Sequence, residues 1–240
     1  MARVSPPITV AFLVCDRPAL LWQVLAAWSK VRGVEDARLE FYCEPGSPES
    51  VALCEAVDFT ERTVTVNPER LGHAWNMHSA MQAAFQRTGY VIQANDDYLP
   101  ATDLLELHAW HRDYYADDDT VLALTSSRDT IPPFFDSLAD VWRCGLIGAL
   151  SGFHQRKWEW LAGRWAEGTA NWWQWVNEKW LQSGPCLDVL FPAISRGEDI
   201  GDPHPVSFFI ADIPPQEYRE VTGWRERGYG WQRIIEERPQ

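Results

Sequence analysis

Two adjacent carboxylates, Asp96 and Asp97, directly follow an apolar stretch that begins at Tyr90. An apolar run of this length predicts a buried strand, and ligands of open α/β sheets bind at the carboxyl ends of such strands. Carboxylate oxygens are the ligands that Mg²⁺ or Mn²⁺ prefer when the ion carries a diphosphate. Under a second interpretation, residues 95–97 only form a turn that caps a helix starting near Thr102. The remainder of the chain favours the first interpretation.

The predicted elements that position these carboxylates alternate between strands and helices along the first half of the chain. Strands are expected over Ile8 to Cys15, Ala37 to Cys43, Thr63 to Val66, the residues before Asp96, and Val121 to Thr125. Helices are expected over Pro18 to Val31, Pro48 to Val57, Leu71 to Arg87, and Thr102 to Tyr115. This βαβ order predicts an α/β fold with a mainly parallel, doubly wound sheet.

The composition of the chain limits its class. With 240 residues, 46% of them hydrophobic, the chain is long enough to bury the core of one domain. The longest early apolar stretch, Ile8 to Cys15, is too short to span a bilayer and lacks a basic leader. Five scattered cysteines indicate free thiols in a reducing compartment, so we expect a soluble, cytoplasmic protein with no membrane partner. The net charge of −13 argues against nonspecific attraction to nucleic acid.

Tryptophan is concentrated in the second half of the chain, where eight of the 14 tryptophans fall between Trp142 and Trp180. A seven-residue spacing that begins at Trp158 favours one buried helical face, so we expect most of these rings in the core. The alternative is a stacking wall for a sugar ring or a nucleobase. The best candidates for such a wall are Trp172, Trp173 and Trp175.

Several short motifs occur in a fixed order along the chain. They are Cys15-Asp16-Arg17 after the first strand, Glu44 after the second, Asn95-Asp96-Asp97 after the fourth, the cluster Asn171-Trp172-Trp173-Gln174-Trp175, and Phe191 to Arg196 followed by Gly201. This ordered set resembles the GT-A fold glycosyltransferases, most closely the N-acetylglucosaminyltransferase I type, over about Ile8 to Phe209. The resemblance implies a single GT-A domain with a Rossmann-like, mainly parallel sheet and a Trp-rich helical region on the acceptor side.

The resemblance also implies a nucleotide-sugar site with UDP as the expected carrier. Asp16 and Arg17 would then meet the uracil or the diphosphate, and Glu44 would contact uracil. Asn95 and Asp96 would face the ribose or the donor sugar.

Two later segments would complete the donor site. Gly148, within the small-residue strand Leu146 to Phe153, would leave room for the sugar ring, although small residues also serve tight packing. Arg196, in the loop Ser195 to Pro205, would reach the diphosphate.

A divalent metal, Mn²⁺ or Mg²⁺, is implied at Asp97, the last residue of the acidic motif. Asn95 replaces the usual leading acid, which removes a charge but keeps hydrogen-bonding ability. His204 is a further candidate ligand, although a lone loop histidine is more often a solvated side chain. The ion would neutralise charge that develops on the departing nucleoside diphosphate.

The catalytic base of the family is missing from its expected position. In the relatives an aspartate in a Trp-Asp-Asp-Trp cluster takes the proton of the acceptor hydroxyl, and the sugar is transferred with inversion. Here Trp173 and Gln174 stand in this place, and neither side chain accepts a proton. The carboxylates that remain as candidates are Asp129, Glu167, Glu178, Glu198 and Asp199.

The predicted function is therefore transfer of a sugar from UDP-GlcNAc or UDP-glucose to a hydroxyl acceptor. The aromatic cluster Trp172-Trp173-Gln174-Trp175 leaves two acceptor classes open: a glycan or small molecule, and a hydroxymethylpyrimidine such as 5-hydroxymethylcytosine in viral DNA. A non-catalytic nucleotide-sugar-binding module is a further alternative. We assign residues 1–128 to the nucleotide-sugar half, 129–215 to the acceptor-side and loop region, and 216–240 to a C-terminal tail.

Overall fold

The computed structural model describes residues 7–127, 137–144, 147–163, 188–201 and 209–221. The strands in these ranges are β1 (Thr9–Val14), β2 (Arg38–Cys43), β3 (Glu61–Val66), β4 (Tyr90–Asn95), β5 (Tyr98–Pro100), β6 (Val121–Thr125), β7 (Asp140–Cys144), β8 (Ser151–His154), β9 (Asp188–Pro192), β10 (Gly197–Asp199) and β11 (Arg219–Glu220). The helices are α1 (Pro18–Trp28), α2 (Pro48–Glu55), α3 (Gly72–Phe85), α4 (Leu104–Tyr114) and α5 (Gln155–Ala162), with a short 3₁₀ helix at Val34–Asp36.

Nine of these strands form one mainly parallel sheet in the order β11-β7-β9-β6-β8-β4-β1-β2-β3. The pairs β1–β2, β1–β4, β2–β3, β6–β9 and β7–β11 are parallel. Strand β8 runs antiparallel between β4 and β6, and β7 runs antiparallel to β9. The α/β fold predicted from the sequence is confirmed, and its predicted first-half elements differ from the observed ones only at their ends.

Helices cover both faces of the sheet, as a doubly wound fold requires. Alternate residues of β1 enter two different cores because successive side chains of a strand point to opposite faces. Phe12 packs with Trp28 of α1 in a core that also takes residues from α2 and α4. Leu13 belongs to a second core built largely from α3 and α5. Trp158 of α5 is buried there, which confirms the packing role expected for this tryptophan.

The carboxyl ends of β1, β2 and β4 meet at one edge of the sheet. Leu13 pairs with Asn95 and Val14 pairs with Cys43, so the segments that follow these strands emerge side by side. A separate two-stranded sheet pairs β5 with β10, and Asp199 lies opposite Tyr98 in it. This long-range pairing brings a segment near residue 199 to the acidic motif at the end of β4.

Among the described residues, none of the helices combines the length and the apolar character needed to cross a membrane.

Candidate functional site

A cleft of about 220 Å³ opens where β1, β2 and β4 end. Its walls come from the residues after each of these strands and from the start of α3. The polar side chains that line it are Asp16, Arg17, Glu44, Arg70, His73, Asn76, Asn95 and Asp96. Most of the residues that the sequence assigned to the donor therefore lie together in one place, as expected for ligand sites at the carboxyl edge of an open α/β sheet.

Arg17 links the two acids of the motif. Its Nη1 donates a hydrogen bond to Asp97 Oδ2 at 2.7 Å, and its Nη2 donates to Asp96 Oδ1. The backbone N–H of Cys15 donates to the other oxygen of Asp96 at 2.7 Å. Both oxygens of the buried Asp96 carboxylate are thus hydrogen-bonded, as a buried charge requires.

Asp97 differs from its neighbour because one of its oxygens is unsatisfied. Within the described part of the chain, Asp97 Oδ1 is buried and has no hydrogen-bond partner. Burial raises the pKa of the Asp97 carboxyl above its usual value, and the nearby positive charge of Arg17 opposes this shift. An unsatisfied buried acceptor is unusual in a folded protein and marks a position where a cation or a donor group can bind.

Strand β10 brings a third acid to this cluster. Asp199 lies opposite Tyr98, the residue that follows Asp97, and its negative charge is among the causes that raise the pKa of Asp97. The Ile200 N–H donates to the backbone oxygen of Asp97 at 2.9 Å and fixes this approach. Glu198 pairs with Leu99 and points to the opposite face, because successive side chains of a strand alternate.

Gly201 closes the cluster from the side of β10. A Cβ atom at this position would lie 2.9 Å from Asp97 Oδ2 and 3.1 Å from Arg17 Nη1. Only glycine permits the backbone to come this close to the ion pair.

Glu44, which lines the cleft, carries a second unsatisfied carboxylate oxygen. Its Oε2 accepts a hydrogen bond from the Leu71 N–H at 2.9 Å, which holds the side chain in place. Its Oε1 is buried without a partner among the described residues. A donor N–H of a bound molecule would satisfy this oxygen.

Three residues of the cleft were missed by the sequence analysis: Arg70, His73 and Asn76. Arg70 pairs with Asp16 at 3.0 Å at the exposed rim, and the Nδ2 of the buried Asn76 donates to the backbone oxygen of Tyr42 at 3.1 Å. Their position in the sequence could have identified them. They follow β3, whose carboxyl end lies at the same edge of the sheet as the ends of β1 and β2.

Arg196 lies elsewhere, and its expected contact with a diphosphate is corrected. Its guanidinium is fully buried, pairs with Asp103 at 2.9 Å, and also donates to the backbone oxygens of Ile194 and Leu138. These contacts occupy the guanidinium inside the protein, so we exclude Arg196 from the site.

The reason expected for glycine at position 148 is also corrected. A Cβ atom there would lie 2.2 Å from the backbone oxygen of Ser127 and 3.0 Å from Thr125 Oγ1. The protein itself fills the space of the missing side chain. Close packing therefore accounts for Gly148 without a sugar ring.

The remaining predicted site residues lie outside the described ranges. These are the candidate bases Asp129, Glu167 and Glu178, the acceptor-side residues Trp172, Trp173, Gln174 and Trp175, and the candidate ligand His204.

The acidic residues in the described ranges fit a divalent cation that takes most of its ligands from substrate phosphates and water. No group of three or more histidine, cysteine or acidic side chains in the described ranges is arranged to enclose a metal ion. The buried, unpaired Asp97 Oδ1 nevertheless provides one carboxylate ligand. Mg²⁺ is commonly bound by one or two carboxylates together with substrate phosphates and water, and this set matches that pattern.

The chain has a mixed α/β fold with a mostly parallel central sheet, and this fold matches that of solved glycosyltransferases. The chain is similar to S. aureus TarS 1-349 in complex with UDP-GlcNAc, with a TM-score of 0.57 and 9% identity over 88% of this chain and 60% of that one. A second structure of TarS 1-349 gives a TM-score of 0.57 and 8% identity over 80% and 59% of the two chains. At these identities the likeness establishes the fold alone.

A mannosyltransferase, PcManGT from Pyrobaculum calidifontis in complex with GDP-Man and Mn²⁺, aligns with a TM-score of 0.47 and 19% identity over 66% of this chain and 47% of that one. The chain thus spans at most 60% of the length of these proteins. No family model matches the sequence, and the comparison with curated proteins found no match.

Proposed function

We propose that the chain is a metal-dependent glycosyltransferase that moves a sugar from a UDP-sugar to a hydroxyl acceptor with inversion. The observation that carries the proposal is a pair of buried, unpaired carboxylate oxygens, Glu44 Oε1 and Asp97 Oδ1, at the carboxyl edge of a GT-A-like sheet. One oxygen suits a nucleobase N–H and the other suits a divalent cation. TarS, which shares the fold, was solved with UDP-GlcNAc.

The donor fits the cleft from the base to the phosphates. Uracil presents an N–H that Glu44 Oε1 would accept, while the Leu71 N–H holds the other carboxylate oxygen of Glu44 in place. Arg17 and Arg70 line the same cleft and supply cations for the diphosphate. UDP-GlcNAc and UDP-glucose are the donors we propose.

Asp97 would hold the divalent cation, Mn²⁺ or Mg²⁺. When bound, the ion supplies positive charge that stabilises the departing diphosphate. Asn95 lacks a charge, so it would contribute hydrogen bonds and not a metal ligand.

Asp199 is the proposed general base. Among the candidate bases in the described ranges, it is the one whose charge acts on Asp97. Its Oδ1 accepts the Gly201 N–H at 2.9 Å, which orients the carboxylate. The acceptor oxygen would attack the anomeric carbon while its proton passes to Asp199, and the bond from that carbon to the UDP oxygen would break. Attack opposite the leaving group gives inversion.

The acceptor belongs to one of the two classes predicted from the sequence, and both are arms of the first experiment. UDP release is measured for a panel of UDP-sugars with Mn²⁺, alone and with a glycan mixture or with duplex DNA that contains 5-hydroxymethylcytosine. Release that one acceptor stimulates would support the transferase and name the acceptor class. UDP that stabilises the fold without any release would contradict it and favour a binding module.

Two variants test the site in the same assay. Asp97→Asn should lower turnover by about 10²- to 10³-fold because the leaving group loses electrostatic stabilisation. Asp113→Asn removes an acid of the same type from α4, where it pairs only with Arg112 among the salt bridges of the described residues, and should keep wild-type activity. Equal activity of the two variants would exclude the metal assignment.

A further inference from the structure

The guanidinium of Arg17 lies between the same two carboxylates that the divalent cation would approach. It donates to Asp97 Oδ2 and to Asp96 Oδ1, so each acid gives this cation one of its oxygens. The Arg17 side chain is 40% exposed, whereas the side chains of Asp96 and Asp97 are 1% and 13% exposed. The fold holds the two carboxylates in place, and the Arg17 guanidinium reaches them from the solvent-exposed side of the cleft.

The Arg17 guanidinium and a divalent ion bound to Asp97 would repel each other. A divalent ion on Asp97 Oδ1 would lie within one carboxylate group of the Arg17 guanidinium, and like charges at such a distance repel strongly where water is scarce. Gly201 lies beside the ion pair, since a Cβ atom at this position would come within 3.1 Å of both Asp97 Oδ2 and Arg17 Nη1.

We propose that Arg17 and the divalent cation compete for the carboxylates of Asp96 and Asp97, and that a nucleoside diphosphate relieves the competition by drawing the guanidinium to its phosphate oxygens. This inference rests on the proposed function and adds a statement about how the ligands bind: the metal and the nucleotide are taken up together. Arg17 is thereby a specificity element that disfavours metal binding without nucleotide.

The site is built so that Arg17 can leave without collapse of the acids. Asp96 keeps the hydrogen bond from the Cys15 N–H, which comes from the backbone and does not depend on Arg17. Asp97 stays anchored through its backbone oxygen, which accepts the Ile200 N–H. Guanidinium binds phosphate and carboxylate with the same paired geometry, so the exchange replaces one set of charged hydrogen bonds by another.

Arg70 provides a matched comparison in the same cleft. It pairs with Asp16, and both side chains are 58% exposed at the rim. Removal of Arg70 takes away the same charge as removal of Arg17 but frees neither Asp96 nor Asp97. A difference between the two variants therefore reports direct competition and not the net charge of the cleft.

The experiment is a Mn²⁺ titration followed by the electron paramagnetic resonance signal of free Mn²⁺, without and with UDP. Without UDP, Arg17→Gln should bind Mn²⁺ about tenfold or more tightly than wild type, because a like charge is removed beside the ligand. Arg70→Gln should change this affinity by less than about twofold, since its charge is exposed and screened. UDP should strengthen Mn²⁺ binding greatly in wild type and much less in Arg17→Gln.

Two further variants, Arg17→Lys and Asp97→Asn, distinguish a failure of this inference from a failure of the proposed function. Arg17→Lys keeps the charge but replaces the planar fork of two nitrogens by a single ammonium, and should fall between wild type and Arg17→Gln. Thermal unfolding of each variant checks that the fold is intact. Equal Mn²⁺ affinity of Arg17→Gln, Arg70→Gln and wild type would overturn the inference. If Asp97→Asn nevertheless abolishes Mn²⁺ binding, the proposed function survives that result. If Asp97→Asn binds Mn²⁺ with UDP as wild type does, the metal assignment and the inference fail together.

Discussion

The sequence assigned two arginines, Arg17 and Arg196, to the donor site. In the structure both form ion pairs with aspartates, but the surroundings of the two ion pairs differ. Arg17 pairs with Asp96 and Asp97 at the cleft, and its side chain is 40% exposed. Arg196 pairs with Asp103 in the interior, and neither side chain is exposed. Backbone oxygens complete the contacts of Arg196, whereas Asp97 keeps one unpaired oxygen.

The difference lies in whether the pair is complete. A buried pair whose remaining hydrogen bonds are satisfied is a fixed part of the fold, because removal of either partner leaves an uncompensated charge. A pair that is open to solvent on one side, and that retains an unsatisfied oxygen, can exchange partners with a ligand. The segment from Arg196 to Gly201 contributes to both regions, since Arg196 is buried in the interior while Gly201 lies beside Asp97 and Arg17.

The largest expected effect is on catalysis at Asp199. Asp199→Asn should lower the turnover number by about 10²- to 10⁴-fold, because the acceptor hydroxyl loses its general base. The measurement is UDP release with the acceptor identified in the panel. Glu198→Gln is the matched control, since this neighbour points to the other face of β10, and it should keep activity near that of wild type. Equal losses in the two variants would remove Asp199 from the mechanism.

The second effect separates the two ion pairs by stability. Asp103→Ala should lower the free energy of unfolding by about 3–5 kcal/mol, because it leaves the Arg196 guanidinium buried without its counter-ion. Asp97→Ala should cost about 1 kcal/mol or less, since Arg17 retains Asp96 and access to water. Urea unfolding of both variants gives the comparison. Similar losses would show that the cleft pair is as structural as the interior pair.

The third effect concerns pH and a group of buried histidines on α4 and β8. The Tyr90 hydroxyl lies 2.8 Å from the Nδ1 atoms of both His108 and His111, and the ring of His154 packs against His111. Burial lowers the pKa of His108 to about 3 and that of His154 to about 4, and it lowers the pKa of His111 as well.

The unfolded chain takes up protons at His108 and His154 below about pH 6.5, whereas the folded chain does so at these two residues only near pH 3 to 4. The stability that these two histidines contribute is therefore complete above pH 6.5 and declines as the pH falls, by up to about 2 kcal/mol for each of the two at pH 5. Urea unfolding at pH 7, 6 and 5 measures this decline. His154→Gln should make the decline smaller by the contribution of one histidine. A stability that stays constant from pH 7 to pH 5 would contradict the assignment of these rings to the neutral interior.

Local patterns predicted much of the fold and part of the site. Strand β6 and the starts of α1 and α2 agree with the predicted bounds, because hydrophobic periodicity and a proline in the first turn are local signals. Asp96 after β4 and Glu44 after β2 line the cleft because parallel strands place their carboxyl ends together. The burial of Arg196 was not predictable, since it depends on Asp103, which lies far from it in the chain.

By itself, the sequence determined the order of strands and helices, the edge of the sheet where the candidate site lies, and the residue types available there. The tertiary structure alone decided which charges meet: Arg17 with both acids of the motif, Asp199 beside Asp97, and Arg196 away from the cleft. The physical reason is that strand and helix formation follow local periodicity and turn chemistry. The partner of a charged side chain instead depends on burial and on contacts between distant segments, here the pairing of β5 with β10.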